Sequence, residues 1–440
     1  MKKYFIFIVF TLITANLTYS QKIAITIYNN NFAVVNETRN IYFQKGLNTI
    51  KITDIPSQII PTSVNIKLNG TVLEQNYQYD LVSMSSLLKR FIDKEITIVG
   101  DNKSFTGKLL STNSNEIVIQ TNEKIISLPN INDYRIELQN LKEELITKPT
   151  LVWQVLSNSN GNQDINLSYM TNLINWQAEY VGVLDNDEKT MSFNSWVSIQ
   201  NNSGGAYRDA KLKLVAGDVK LAQEQYGFAD EKVMMRAMQT EEPEFKQEEF
   251  FEYHIYELNN PTTILNDELK QISLFNIPSV KINKKYIYQG TSGGKVGVFI
   301  EFMNTKENNL GLPLPKGKIK LFKQRGDANE FIGEQYIDHT TTGEAIKINT
   351  GNAFDIVVED KILESVKISE KSSESSYSIK IKNRKKEDIT VEVHRFLWGD
   401  WQIIQNNFDY KRESAYKVIF SIPIKSMSET DLKFKVRTKF

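Results

Sequence analysis

A mainly β fold is predicted by three features of this sequence: apolar residues alternating with polar ones at period two, turn residues recurring at short intervals, and no heptad run. Ile23, Ile25 and Ile27 show the alternation first. Val64, Ile66 and Leu68 repeat it before Asn69-Gly70, and Val72 resumes it. Alternation puts one strand face into a core, and an Asn-Gly pair between two such runs favours a hairpin. Residues 21–80 therefore read as a small N-terminal antiparallel β unit.

The next segment opens on Ser85-Ser86-Leu87-Leu88-Lys89-Arg90-Phe91-Ile92, a short helix with serine caps. Short strands are predicted at Ile96–Val99, Ser104–Leu110, Glu116–Gln120 and Lys124–Leu128. This density predicts a small barrel of the SH3 or Sm type over 81–147. A brief helix with Leu138, Leu141 and Leu145 on one face then leads to Pro149. From 148 to 440 strand signals recur about every ten residues, the pattern of an antiparallel β-sandwich. Residues 221–252 interrupt it. Met234, Met235 and Met238 and then six glutamates follow no hydrophobic period, so a mobile surface crossover is expected there.

Composition bounds the function. At 40% hydrophobic and 24% charged, the 440 residues hold enough apolar material for a full core. Lys plus Arg and Asp plus Glu both number 53, so nothing global draws the chain to nucleic acid. Cysteine is absent, which excludes disulfides, thiolate nucleophiles and an N-terminal lipidated cysteine. Residues 1–20 read as a cleavable signal peptide. Lys2 and Lys3 precede the apolar run Tyr4–Ile13, and Thr18-Tyr19-Ser20 presents small residues for cleavage after Ser20. The run is about half of the roughly 20 residues that span a bilayer. An exported location, periplasmic or at the cell surface, is the expectation, with no integral membrane segment after cleavage. Export without disulfides points to a bacterium.

The sandwich region also carries recognisable words. They are Ser168-Tyr169-Met170, Asn175-Trp176-Gln177-Ala178-Glu179-Tyr180, Asn201-Asn202-Ser203-Gly204 and Asp209 to Asp218. Further on come Glu252-Tyr253-His254, Gly311-Leu312-Pro313-Leu314-Pro315-Lys316-Gly317 and Phe331-Ile332-Gly333-Glu334. Together they resemble the bacterial mucoidy-inhibitor-like family, whose C-terminal region is a domain of unknown function. The resemblance covers Lys148 to Phe440. It implies an exported protein with a β-sandwich and transfers no catalytic residue or cofactor. Longer members carry a coiled coil where this chain has its barrel-like segment. The same words have structural readings: Trp176 and Tyr180 share a strand face, Asn202, Gly204 and Gly205 suit a turn, and Pro313 and Pro315 mark a strand edge or extended connector.

Candidate chemistry is thin. The three histidines, His254, His339 and His394, lie at no metal-ligand spacing. His394 with Asp400 is one base–orienter arrangement, without a nucleophile elbow beside it. Asp185-Asn186-Asp187-Glu188 offers oxygen ligands to calcium, but its place between two apolar runs reads as a hairpin turn. Asp338-His339 with Glu344 is equally ambiguous. Phe396, Trp398 and Trp401 surround Gly399-Asp400, either capping the core or presenting aromatic faces to a sugar. At the C-terminus Leu432, Phe434, Val436, Thr438 and Phe440 alternate with Lys433, Lys435, Arg437 and Lys439, as in a soluble edge strand protected by cations. No catalytic, cofactor or metal residue is assigned. The reading is a non-enzymatic envelope structural or interaction protein, with an envelope protein or a polysaccharide as partner. An envelope hydrolase with spatially assembled carboxylates, or an outer-membrane-associated β protein, are the alternatives.

Overall fold

The computed structural model describes residues 22–79, 83–100, 103–113, 116–129, 131–139, 145, 147–217, 245–250, 253–290 and 293–439. The expected signal peptide lies outside them, as does the expected crossover over 221–244 and 251–252. The fold is mainly β and built from several sheets. The chain divides into two compact units. One holds residues up to Asn175 with Gln200–Lys213 and Asn260–Glu268; the other holds the remainder.

In the first unit Lys22–Tyr28, Phe32–Phe43, Gly161–Asn172 and Asn65–Lys67 lie side by side, all antiparallel. Ile23, Ile25 and Ile27 are buried, as their alternation requires. A second sheet sets Thr150–Ser157 between Gly46–Ile52 and Gly70–Gln78. The strands of 21–80 thus pair with strands from the start of the 148–440 region. The Asn69-Gly70 hairpin is overturned: Asn65–Lys67 pairs with Asn166–Ser168, whereas Gly70–Gln78 runs along Thr150–Ser157. Gly70 is needed for close approach, because a Cβ there would lie 2.7 Å from the Leu156 carbonyl oxygen. Chain approach, and not hairpin geometry, is what this glycine serves.

The 81–147 segment forms its own five-stranded antiparallel sheet. Its strands run Arg135–Leu138, Glu95–Val99, Ser104–Thr112, Glu116–Gln120 and Ile125–Pro129. Helix Met84–Arg90 precedes it, closed at its start by a reciprocal Ser83/Ser86 capping box. Leu88, Phe91, Ile96, Ile98, Leu109, Ile117, Ile119 and Leu128 form one core. Leu138, expected in a helix, ends a strand whose Ile136 lies opposite Ile98. Leu141 is outside the described residues.

The second unit has two large sheets. Glu268–Lys281, Thr190–Asn201, Ile174–Leu184, Gly317–Arg325 and Ala328–Ile337 form the smaller. The larger has nine strands, in the order Asp400–Asn406, Glu429–Lys439, Ser372–Asn383, Ala345–Ser369, Lys295–Met303, Asn283–Gln289, Ile389–Phe396, Lys417–Ile424 and Tyr410–Arg412. One core joins the sheets, with Tyr180, Phe193 and Leu321 from one and Phe302 and Ile348 from the other. The sheets are mixed where a purely antiparallel sandwich was expected. Ile174–Leu184 runs parallel to Gly317–Arg325, and Asn283–Gln289 parallel to Ile389–Phe396. Gly317 admits the first crossing, since a Cβ would meet the Ala178 carbonyl oxygen at 2.0 Å. Phe245–Phe250, expected within the crossover, is a strand paired with Tyr253–Leu258.

The C-terminal strand is not an edge. It lies between Asp400–Asn406 and Ser372–Asn383, with Leu432, Phe434 and Val436 in the core. Its cations serve cross-strand pairing: Lys435 sits 2.8 Å from Glu374, and Arg437 donates to the same carboxylate at 2.9 and 2.7 Å.

Glu37 is a charged residue placed inside. It shares a strand face with buried Ala33 and Val35 and lies opposite Ile23 and Leu167. Arg39 donates to both its oxygens, at 3.0 and 3.1 Å, and to Asp54. A buried carboxylate that loses the guanidinium on both its oxygens is left short of compensation. Arg39→Met should therefore lower the unfolding free energy by about 3–5 kcal/mol. Glu37→Leu/Arg39→Met should lose less, with both read by urea denaturation. A single-variant loss below about 1 kcal/mol would show that Glu37 is solvated after all.

Candidate interaction surface

Strand Ala345–Ser369 is 25 residues long, and its two ends have different surroundings. Up to Val357 it pairs with Lys295–Met303 on one side. Among the described residues that side carries no strand beyond the Val358 amide, which bonds to the Gly294 carbonyl. On the other side it continues against Ser372–Asn383 through the two-residue turn Glu370-Lys371. Every residue from Lys361 to Ser369 is exposed. Four of them are large and apolar: Ile362 61%, Leu363 60%, Val366 40% and Ile368 55% exposed. Irregularities in the ladder skip Leu363 and Ile368. Bulges of this kind interrupt open-ended strand addition, while leaving the apolar side chains available to a shaped partner.

Aromatic residues gather near the same end of the sheet. Asp400 pairs with Lys439, Lys439 with Ser372, and Ser372 with Ser369. Trp398, two residues before Asp400, is 73% exposed and lies 5.7 Å from the Tyr416 ring. Phe396 and Tyr416 are exposed as well. Trp401 is buried, donates from Nε1 to the Ala415 carbonyl at 2.6 Å, and carries the Arg412 guanidinium over its ring. The two tryptophans thus divide the alternatives: Trp401 caps the core, and Trp398 faces solvent.

The ionisable candidates are occupied by structure. His394 bonds through Nε2 to Glu392 at 3.1 Å, so its carboxylate partner is Glu392, two residues away on the same strand face. Glu392 also faces Lys285 at 3.6 Å, and Lys285 bonds Glu301 at 2.5 Å. Lys417 pairs with Glu413 at 2.5 Å, and Lys347 lies 4.8 Å over the Phe299 ring. This network crosses five strands of the nine-stranded sheet. Burial holds the His394 pKa below its ordinary 6.5, against the pull of Glu392. Burial likewise lowers that of Lys347.

The Asp185–Glu188 turn joins two neighbouring strands, with the Asp185 amide on the Thr190 carbonyl. Glu188 pairs with Lys284 at 2.5 Å and with Lys323, which together hold its pKa below the usual carboxylate value despite partial burial. Turn chemistry and ion pairing account for this cluster. His339 Nδ1 accepts from the Lys316 amide at 3.1 Å, and the Glu344 carbonyl accepts from the Asn304 amide. His254 lies opposite Glu249 in a hairpin. Among the described residues, no three His, Cys, Asp or Glu side chains cluster as a metal site. Pro313 and Pro315 form an extended connector whose carbonyls accept from Tyr256 and Tyr180. In the sequence the Ile362–Ile368 segment carries no turn signal, because the serine-rich stretch after it lacks Gly and Pro. Its apolar alternation was the available signal.

His394 gives the fold a pH dependence. Its folded pKa lies below 6.5, so between those values the unfolded chain binds more protons and stability falls as pH falls. The slope cannot exceed about 1.4 kcal/mol per pH unit for one proton. Urea midpoints at pH 7.5, 6.5 and 5.5 should decline for the wild type and stay flatter for His394→Gln. Parallel curves would show that other groups carry the effect. Comparison with protein-family models and with curated proteins finds no match for this chain.

Proposed function

We propose that this chain is an exported, non-enzymatic protein of the bacterial cell envelope that acts by binding a partner protein. One observation carries the proposal: Ile362, Leu363, Val366 and Ile368 stand exposed together on one strand end in which every residue from Lys361 to Ser369 is exposed. Apolar and aromatic side chains clustered on one exposed region are the anchors that protein interfaces use. The Trp398–Tyr416 pair adds rigid aromatic area near it. Export rests on the Lys2-Lys3 start, the Tyr4–Ile13 apolar run and the small residues up to Ser20. Among the described residues no helix is long and apolar enough to cross a membrane, in keeping with a chain that carries no anchor helix there. The resemblance to the mucoidy-inhibitor-like family favours the same compartment.

A photo-crosslinking residue at Val366 or at Trp398 in the native host tests this reading. Mature protein starting at Gln21 should be recovered from the envelope fraction, joined to one defined envelope protein. Ile362→Lys/Val366→Lys should cut that product at least about tenfold while melting unchanged, because charges in the contact would be desolvated without partners. Cytoplasmic retention of the leader, or a crosslink indifferent to the lysines, would overturn the proposal. So would turnover of a defined glycan or peptide that is lost with a single carboxylate.

A further inference from the structure

The first unit carries a separate site on the outer face of its larger sheet. Strand register lines up Lys22, Thr38, Asn166 and Lys67 across four adjacent strands, and Ala24, Asn36 and Ser168 in the next row. At about 4.8 Å per strand, the lysines end a row whose Cα atoms span about 14 Å. Thr38 donates to Asn166 at 3.0 Å, tying the middle of the row together. Asp209 and Lys211, on the strand beside Lys22–Tyr28, continue the face. These residues line an open groove of ≈ 560 Å³, with Pro261 at its margin. Ile23, Glu37 and Leu167 are buried beneath it.

Charge marks this groove. Several lysines elsewhere meet carboxylates, as Lys284, Lys285, Lys323, Lys382, Lys417 and Lys435 do. Among the described residues Lys22, Lys67 and Lys211 have no such partner, and Asp209 is the one acid exposed in the groove. Three cations around a floor of amide and hydroxyl groups suit a ligand that is both anionic and rich in hydroxyls. The groove offers no exposed aromatic ring to anchor a protein or stack a base, which disfavours peptide and nucleic acid. We propose that it binds an acidic polysaccharide lying across the strands, with Lys22, Lys67 and Lys211 meeting its carboxylates and Asn36, Asn166 and Ser168 its hydroxyls. This site is independent of the Ile362–Ile368 surface.

Polygalacturonate is the probe, with dextran as the neutral polymer and polyglutamate as the anionic peptide, all titrated against the mature full chain by calorimetry. Polygalacturonate should bind at least about tenfold tighter than either, and weaken as salt screens the lysines. Lys22→Gln/Lys67→Gln/Lys211→Gln should weaken it about tenfold or more without changing the melting temperature. Asn166→Ala/Ser168→Ala should weaken it while leaving the charge intact. Ile362→Lys/Val366→Lys should leave it unaltered, which separates this site from the partner surface. No binding of polygalacturonate, equal binding of polyglutamate, or an unaffected triple lysine variant would each overturn the proposal.

Discussion

A sheet with one apolar face must cover that face, and the nine-stranded sheet largely covers its own. Nineteen buried residues from its strands, with the adjoining Leu397, form one core. Phe420 and Phe434, on the eighth and second strands of the row, approach with ring centroids 4.9 Å apart. The sheet has therefore rolled until strands near its two ends face each other, which the right-handed twist of strands makes accessible. Most of the buried inward positions are then spent on packing. Polar side chains are driven outward, where they meet across strands as the Lys285–Glu301–Glu392–His394 network and the Glu374 pairs with Lys435 and Arg437.

The same constraint explains where the surface is apolar. Strand Ala345–Ser369 runs past the last residue that Lys295–Met303 can pair, so its far end has a ladder on one side only. Among the described residues, side chains there have Ser372–Asn383 beside them on one side and no strand on the other. A sequence that needed only solubility would place charge at Ile362, Val366 and Ile368. Apolar residues at these positions, with bulges that discourage indiscriminate strand pairing, are what a specific contact requires.

Local pattern was readable in the sequence and partnership was not. Ile23–Ile27, the four strands between Ile96 and Leu128, the Ser83 cap region and the Asp185–Glu188 turn follow from alternation, capping and turn chemistry within a few residues. The structure departs from expectation wherever the answer depends on a distant strand. The alternation of Leu432–Val436 is the same for an edge or an interior strand, and only Asp400–Asn406 on its far side decides between them. Asn69-Gly70 suits a hairpin, yet the two strands it joins find better partners about a hundred residues away. His394 meets Glu392 because a strand places residues two apart on one face. That spacing is visible in the sequence itself.

The candidate sites divide on the same principle. Trp398 and Tyr416 are nearly twenty residues apart, and Lys22, Lys67 and Lys211 come from three separated segments, so neither group forms a pattern in one dimension. What marks them in three dimensions is their grouping. Many acids and lysines on the second unit's sheets pair with each other, as Lys285 does with Glu301 and Lys435 with Glu374. Three lysines gather around amides and hydroxyls in one groove, and exposed isoleucine, leucine and valine gather on one strand end. Neither grouping stabilises the fold: unpaired like charges repel, and exposed apolar area forgoes burial. Two features that cost stability, in chemically opposite directions, argue for two different ligands on one chain.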